Sequence, residues 1–175
     1  MTIPLQKFPI ITSATRLFDF YKIPWRRTRS LSSYEELPPT WDGKYVNIDW
    51  KEEHDSVKEN IAWSFHEVSH YLFAPEDSRK IPNYGLGTDP AGGGKSTIDS
   101  FYIRGGYAQS DEEACCILDI FLMSLHGQKE DDVRFHMRDY GMTVYYKHDI
   151  ELIESAGFNA SLVKTHIGKF IYEIG

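Results

Sequence analysis

An α+β fold, mainly helical with a small sheet, is what the order of apolar periods along this chain predicts. Two long stretches repeat apolar residues at three and four, one short stretch alternates at two, and a glycine-rich segment separates the two helical stretches. With 175 residues, 41% of them hydrophobic and 14% aromatic, the chain can bury a core and fits a single domain, taken as 1–175.

The elements follow in order. Ala14 to Ile23 forms a short helix closed by Pro24, and the basic stretch Trp25-Arg26-Arg27-Thr28-Arg29 continues as a loop. Leu37 to Gly43 carries turn chemistry, while Tyr45 to Trp50 alternates large and polar residues as a strand does. Over about 55–73, Val57, Ile61, Phe65, Val68 and Leu72 lay one apolar face along a first main helix that Pro75 ends. Gly85, Gly87 and Gly92-Gly93-Gly94 then make a glycine-rich loop over about 82–97, followed by a short strand at Ile98 to Arg104. Ser110 with Glu113 three residues later is a capping-box pattern, and it opens a second main helix over about 110–126 that Gly127 stops. Two further helices cover Asp131 to Tyr140 and Asn159 to Tyr172, the latter capped by Asn159.

Composition excludes several functions. Nineteen Lys and Arg against 26 Asp and Glu give a net charge of −7, and only Arg26 to Arg29 concentrates positive charge, so no nucleic-acid footprint is expected. The apolar runs break long before the roughly 18 residues that a membrane helix needs, and no signal-peptide pattern opens the chain; a cytoplasmic protein with no membrane partner is expected. Cys115 and Cys116 are adjacent, which places their side chains about 100° apart on a helix and disfavours a disulfide between them.

Chemistry enters with His66-Glu67-Val68-Ser69-His70, an HExxH pattern inside the first main helix. Residues four apart stand one above the other, so both imidazoles can reach one divalent ion, and Glu67, about 100° round, can act as acid or base beside it. The two histidines lie off the apolar stripe, free to face a cleft. Two imidazoles leave a divalent ion short of ligands, and Asp111, Glu112 and Glu113 are the acidic candidates for a third. Glu113 is spent on the capping box, which makes Glu112 the first choice, Glu113 the second and Asp111 the third. Cys115 and Cys116 read as small core residues that let the two main helices approach. Gly94-Lys95-Ser96 ends like a phosphate-binding loop, yet Asp89 stands where that loop needs glycine, so nucleotide binding is rejected. Tyr84, Tyr102 and Tyr107 border the glycine-rich loop, and Tyr84 is the one taken as a substrate-binding residue. His54, His126, His136, His148 and His166 have no ligand spacing and are expected mostly at the surface.

These residues resemble a known family. His66 to His70, then Arg79-Lys80, Asn83-Tyr84-Gly85, Pro90 and Gly92, are similar to the elongation factor P hydroxylase family, with its HE[IV]SH, basic, [DN][FY]G and P-x-G positions at like spacing. The resemblance covers about 45–125, and its acidic residue ahead of a Leu-Asp pair corresponds to Glu112 ahead of Leu118-Asp119. It implies a zincin-like metalloenzyme domain in which His66, His70 and Glu112 hold non-haem Fe(II) for hydroxylation of a lysine on a protein substrate. A fainter similarity, through HExxH and the helix from Glu113-Ala114 to Leu122-Met123, is to compact gluzincin metallopeptidases; it implies Zn(II), with Glu67 as general base. A non-catalytic interaction module stabilised by its metal is the third reading.

Overall fold

In a computed structural model, the described residues are 8–28, 39–49, 57–74, 76–85, 108–139 and 144–174. They contain six α-helices and five short strands, a mixed arrangement compatible with α+β.

The first helix, α1 (Ala14–Tyr21), starts where the Ser13 side chain accepts a hydrogen bond from the Arg16 backbone N–H. It stops at Lys22, which turns left-handed (φ 56°), two residues before Pro24. Trp25 to Thr28 is not the loop that the basic residues suggested but a strand, β1 (Trp25–Thr28). Pairing overrides local composition here: β1 lies parallel to β3 (Val46–Asp49), and the two-residue β2 (Thr40–Trp41) joins β3 antiparallel on its other side. The charge of β1 stays in solvent, where Arg26 reaches Asp42 and Asn47 at 2.8 and 2.7 Å.

The turn between β2 and β3 uses the expected chemistry. Asp42 Oδ1 accepts from the N–H groups of Lys44 and Tyr45, and Gly43 takes φ +92°. A Cβ at Gly43 would lie 2.8 Å from the Lys80 carbonyl oxygen, so glycine is what lets this turn sit against the segment that follows the first main helix. Trp41 adds a hydrogen bond from its indole N–H to the Arg79 carbonyl at 2.9 Å.

The first main helix is α2 (Val57–Phe73), with Ile61, Phe65 and Val68 buried along the expected stripe. Arg79, in a short 3-10 turn (Ser78–Lys80), donates back to the Tyr71 and Leu72 carbonyls and so satisfies acceptors at the helix end. A second 3-10 turn (Pro82–Gly85) carries Tyr84. The strand expected at Ile98 to Arg104, and the stretch of the glycine-rich loop beyond Gly85, lie outside the described residues.

The second main helix, α3 (Ala108–Leu125), is the centre of the fold. Every residue from Ala114 to Met123 is buried, and helices pack on it from several sides: α2, α4 (Glu130–Asp139), α5 (Lys147–Ser155) and α6 (Ala160–Ile167). It begins two residues ahead of Ser110, so Ser110 stands inside the first turn rather than at its cap. Ser110 is therefore not the N-cap of a capping box with Glu113. Gly127 (φ +68°) follows the helix end as expected. Asn159 caps α6 through the Leu162 N–H, but that helix ends at Ile167, because Tyr172 to Ile174 form β5 (Tyr172–Ile174), parallel to β4 (Val144–Tyr146). No described helix is long and apolar enough to cross a membrane.

His126, expected at the surface, is buried just beyond α3. Its Nδ1 donates to the Pro9 carbonyl at 2.8 Å, which leaves Nε2 to accept from the Tyr21 hydroxyl at 2.9 Å and pins α1 to the end of α3. Burial holds its pKa below the usual value.

Two outcomes follow from these contacts. Replacing Gly43 by Ala forces a side chain against backbone at a left-handed position, and should lower stability by about 2 kcal/mol, or Tm by roughly 4–8 °C in a calorimetric scan. His126 binds a proton more readily in the unfolded chain, so its contribution is complete above about pH 6.5 and is lost as pH falls below it. The slope of Tm against pH between about 7 and 5.5 should accordingly be shallower in His126→Gln than in the wild type.

Candidate metal centre

Helices α2 and α3 form the most extensive helix pair of the fold, and the small residues Ala114, Cys115 and Cys116 let them come close. Both motif histidines point into this contact. His66 is 7% and His70 4% exposed, so they face a neighbouring helix instead of an open cleft. Their Nε2 atoms approach to 2.9 Å, with the rings nearly perpendicular.

Each ring is held from its other nitrogen. His66 Nδ1 lies 2.9 Å from Asp119 Oδ2, and His70 Nδ1 lies 3.3 Å from Cys115 Sγ. Asp119 is completely buried on α3, and its Oδ2 also meets His136 Nε2, from α4, at 3.3 Å. Burial alone would raise the Asp119 pKa, but the charge and hydrogen bonds of His66 and His136 hold it down at about 2. The carboxylate is then an acceptor only, so the proton in the first contact sits on His66 Nδ1 and that in the second on His136 Nε2. His66, in its neutral form, keeps its lone pair on Nε2, facing His70.

Glu67 is half-buried on the adjacent face of α2. Tyr84 donates its hydroxyl to the Glu67 carboxylate and to the Glu67 backbone carbonyl, both at 3.1 Å. Tyr84 is 1% exposed, with its ring stacked on Trp41 (5.5 Å, 6°) on one contact and on His70 (5.5 Å, 19°) on another. A large residue at φ 55° is strained by about 1–3 kcal/mol, and here the two ring contacts and the hydroxyl hold it. Burial, then the Glu67 charge, push its phenol well above the ordinary range, which keeps it a donor. Instead of presenting a face to a substrate, Tyr84 orients Glu67 and backs His70.

Of the residues singled out in the sequence, then, His66, His70, Glu67 and Tyr84 come together. Asp111, Glu112 and Glu113 lie in the first turns of α3, and their side chains fall outside the described residues. Four further residues stand with them: Asp119, His136, Cys115 and Cys116. Asp119 could have been found as the one acid in the apolar run Ala114 to Leu125, because a charge on a helix buried all round has to be paired. His136, one of the five histidines without ligand spacing, is 3% exposed, one residue from Met137 and three from Val133 on the inner face of α4. Cys115 and Cys116 do pack in the core, and they also stand beside the two imidazoles. A ring nitrogen of His66, the Cys116 Sγ and an Asp119 carboxylate oxygen all lie within 4.8 Å of one another, a buried group that could hold a metal ion.

None of the family models, curated proteins or solved structures compared with this chain matches it.

Asp119 concentrates the energetics of the centre. Asp119→Ala removes an ionised acceptor from two buried imidazole N–H groups, so urea unfolding at neutral pH should show a loss of about 3 kcal/mol. A loss under about 1 kcal/mol would mean that the network contributes little.

Proposed function

We propose that the chain is a metal-dependent enzyme acting on a protein substrate, with a zincin-like pairing of α2 and α3. The observation that carries the metal is the convergence of His66 Nε2 and His70 Nε2 at 2.9 Å while both Nδ1 atoms are engaged elsewhere. That is the arrangement expected of ligating histidines, whose second nitrogen is fixed by a carboxylate or another outer group. The donor set fits: two ligands at the usual nitrogen distance of about 2.0–2.1 Å from one ion stand roughly 3.3 Å apart, within a few tenths of an ångström of the separation here. His66 and His70 would hold the ion, with Glu112 as the first choice for third ligand and Glu113 as the second.

When bound, the ion supplies Lewis acidity, or dioxygen chemistry if it is iron. The remaining work falls to the chain. Asp119 fixes the His66 tautomer and orientation, and Cys115 faces the outer nitrogen of His70. Glu67, one residue from a ligand, handles a proton on the substrate side, with its carboxylate aimed by the Tyr84 hydroxyl. The partly exposed Trp63 lies edge-on to both His66 and His136, and walls the site on the solvent side.

For the reaction, the resemblance to the elongation factor P hydroxylase family favours Fe(II) and hydroxylation of a lysine in a protein. A second reading, a zinc peptidase of the gluzincin type, gains from one observation: Glu67 is held by Tyr84 as a general base needs to be.

Anaerobic purification followed by metal analysis should find one ion per chain, and His70→Ala should weaken its binding by more than about 100-fold, beyond what loss of an outer-shell residue causes. Glu67→Gln should keep metal and fold but lose turnover by at least about 100-fold. Oxygen uptake coupled to gain of one oxygen atom on the protein substrate supports the hydroxylase; new N-termini on it support the peptidase. Full turnover by Glu67→Gln would remove Glu67 from both mechanisms.

A further inference from the structure

Asp119 meets His66 at Nδ1, away from the Nε2 that faces His70, and Cys116 Sγ lies in one group with these two residues. Asp119 uses Oδ2 for both of its histidine contacts, and its Oδ1 is buried with no hydrogen-bond partner among the described residues. An ionised oxygen in that condition is uncommon in a folded protein, and it stands in the same cluster as a thiol and a ring nitrogen, all within 4.8 Å. The nitrogen of His66 on this side is Nδ1, since that is the atom in contact with the carboxylate.

We infer that His66 Nδ1, Cys116 Sγ and Asp119 form a second, thiophilic metal position that competes with the functional ion for His66. Softness favours it, because a thiolate selects ions such as Zn(II), Cu(I) or Cd(II) over harder ones. Charge favours it as well: Cys116 thiolate and Asp119 carboxylate neutralise a divalent ion completely, which suits a site that excludes water.

The proton balance is definite. Cys116 gives up its thiol proton, and the His66 proton moves from Nδ1 to Nε2, so one proton leaves per divalent ion bound. With its proton on Nε2, His66 no longer has a lone pair to offer towards His70. A neutral imidazole serves one side or the other, and occupation of the Cys116 side releases an ion held on the Nε2 side. The competition rests on the functional reading above, whereas the thiolate position does not.

The probe is Cd(II). One equivalent added to metal-free protein should produce a thiolate-to-cadmium charge-transfer absorption, retained in Cys115→Ser and in His70→Ala. It should vanish in Cys116→Ser, and also in Cys116→Ala, which fills the same small volume without a hydroxyl; circular dichroism establishes that each variant is folded. Absence of the band in the wild type, or its persistence in folded Cys116 variants, overturns the position. For the competition, Cd(II) added to wild-type protein loaded anaerobically with Fe(II), the harder ion, should release one iron per chain to a chromogenic chelator, and should release none from Cys116→Ser. A cadmium band formed with iron retained overturns the competition. His70→Ala separates the two readings: should it keep Fe(II) at wild-type affinity, the functional site fails while the cadmium band still reports on Cys116.

Discussion

One buried carboxylate organises this protein. Asp119 sits on the central helix α3 at zero exposure and reaches, through a single oxygen, a histidine of α2 and a histidine of α4. Three helices are therefore positioned by a charge that the apolar interior tolerates only because both partners donate to it. Apolar packing alone would let α2 rotate or slide on α3 by a fraction of a turn at modest cost. The hydrogen bond to His66 sets the azimuth of α2, and with it the direction in which His70 and Glu67 point.

The periodic elements of the fold were legible in the sequence, and so was the meeting of His66 with His70. The stripe Ile61, Phe65, Val68 marked α2, and a run of apolar residues marked α3, because long helices in a small protein must bury a face. HExxH named His66 and His70 because helix geometry alone brings them together. What stayed hidden depends on contacts distant in sequence. β1 carries two arginines and reads as loop; it exists because β3 offers a parallel partner, and parallel pairing has no local signature. β4 and β5, separated by two helices, are hidden for the same reason. α6 stops at Ile167 although Phe170, Ile171 and Tyr172 continue its apolar content, because the Phe170 and Ile171 N–H groups both turn back on the Ile167 carbonyl and Tyr172 leaves to pair with β4. His136 looked like surface because a lone histidine announces burial only through its partner.

The sheet and the site meet at Tyr84. Its backbone adopts a conformation that large residues avoid, and the turn at Gly43 and the Trp41 indole hold the neighbouring 3-10 segment in place. Local preference is given up there, and the return is a hydroxyl fixed on Glu67. Cys115 and Cys116 show the same layering of roles: small side chains that permit close helix approach also bring sulfur to the two imidazoles.

The stack of Trp41, Tyr84 and His70 also makes a mechanical chain, running from a two-residue edge strand to the second imidazole of the motif. A displacement of the β2–β3 hairpin therefore reaches the Tyr84 ring through Trp41, and Tyr84 is the ring on which His70 packs. The orientation of one imidazole is in this way tied to the placement of a strand that contributes no atom to the site.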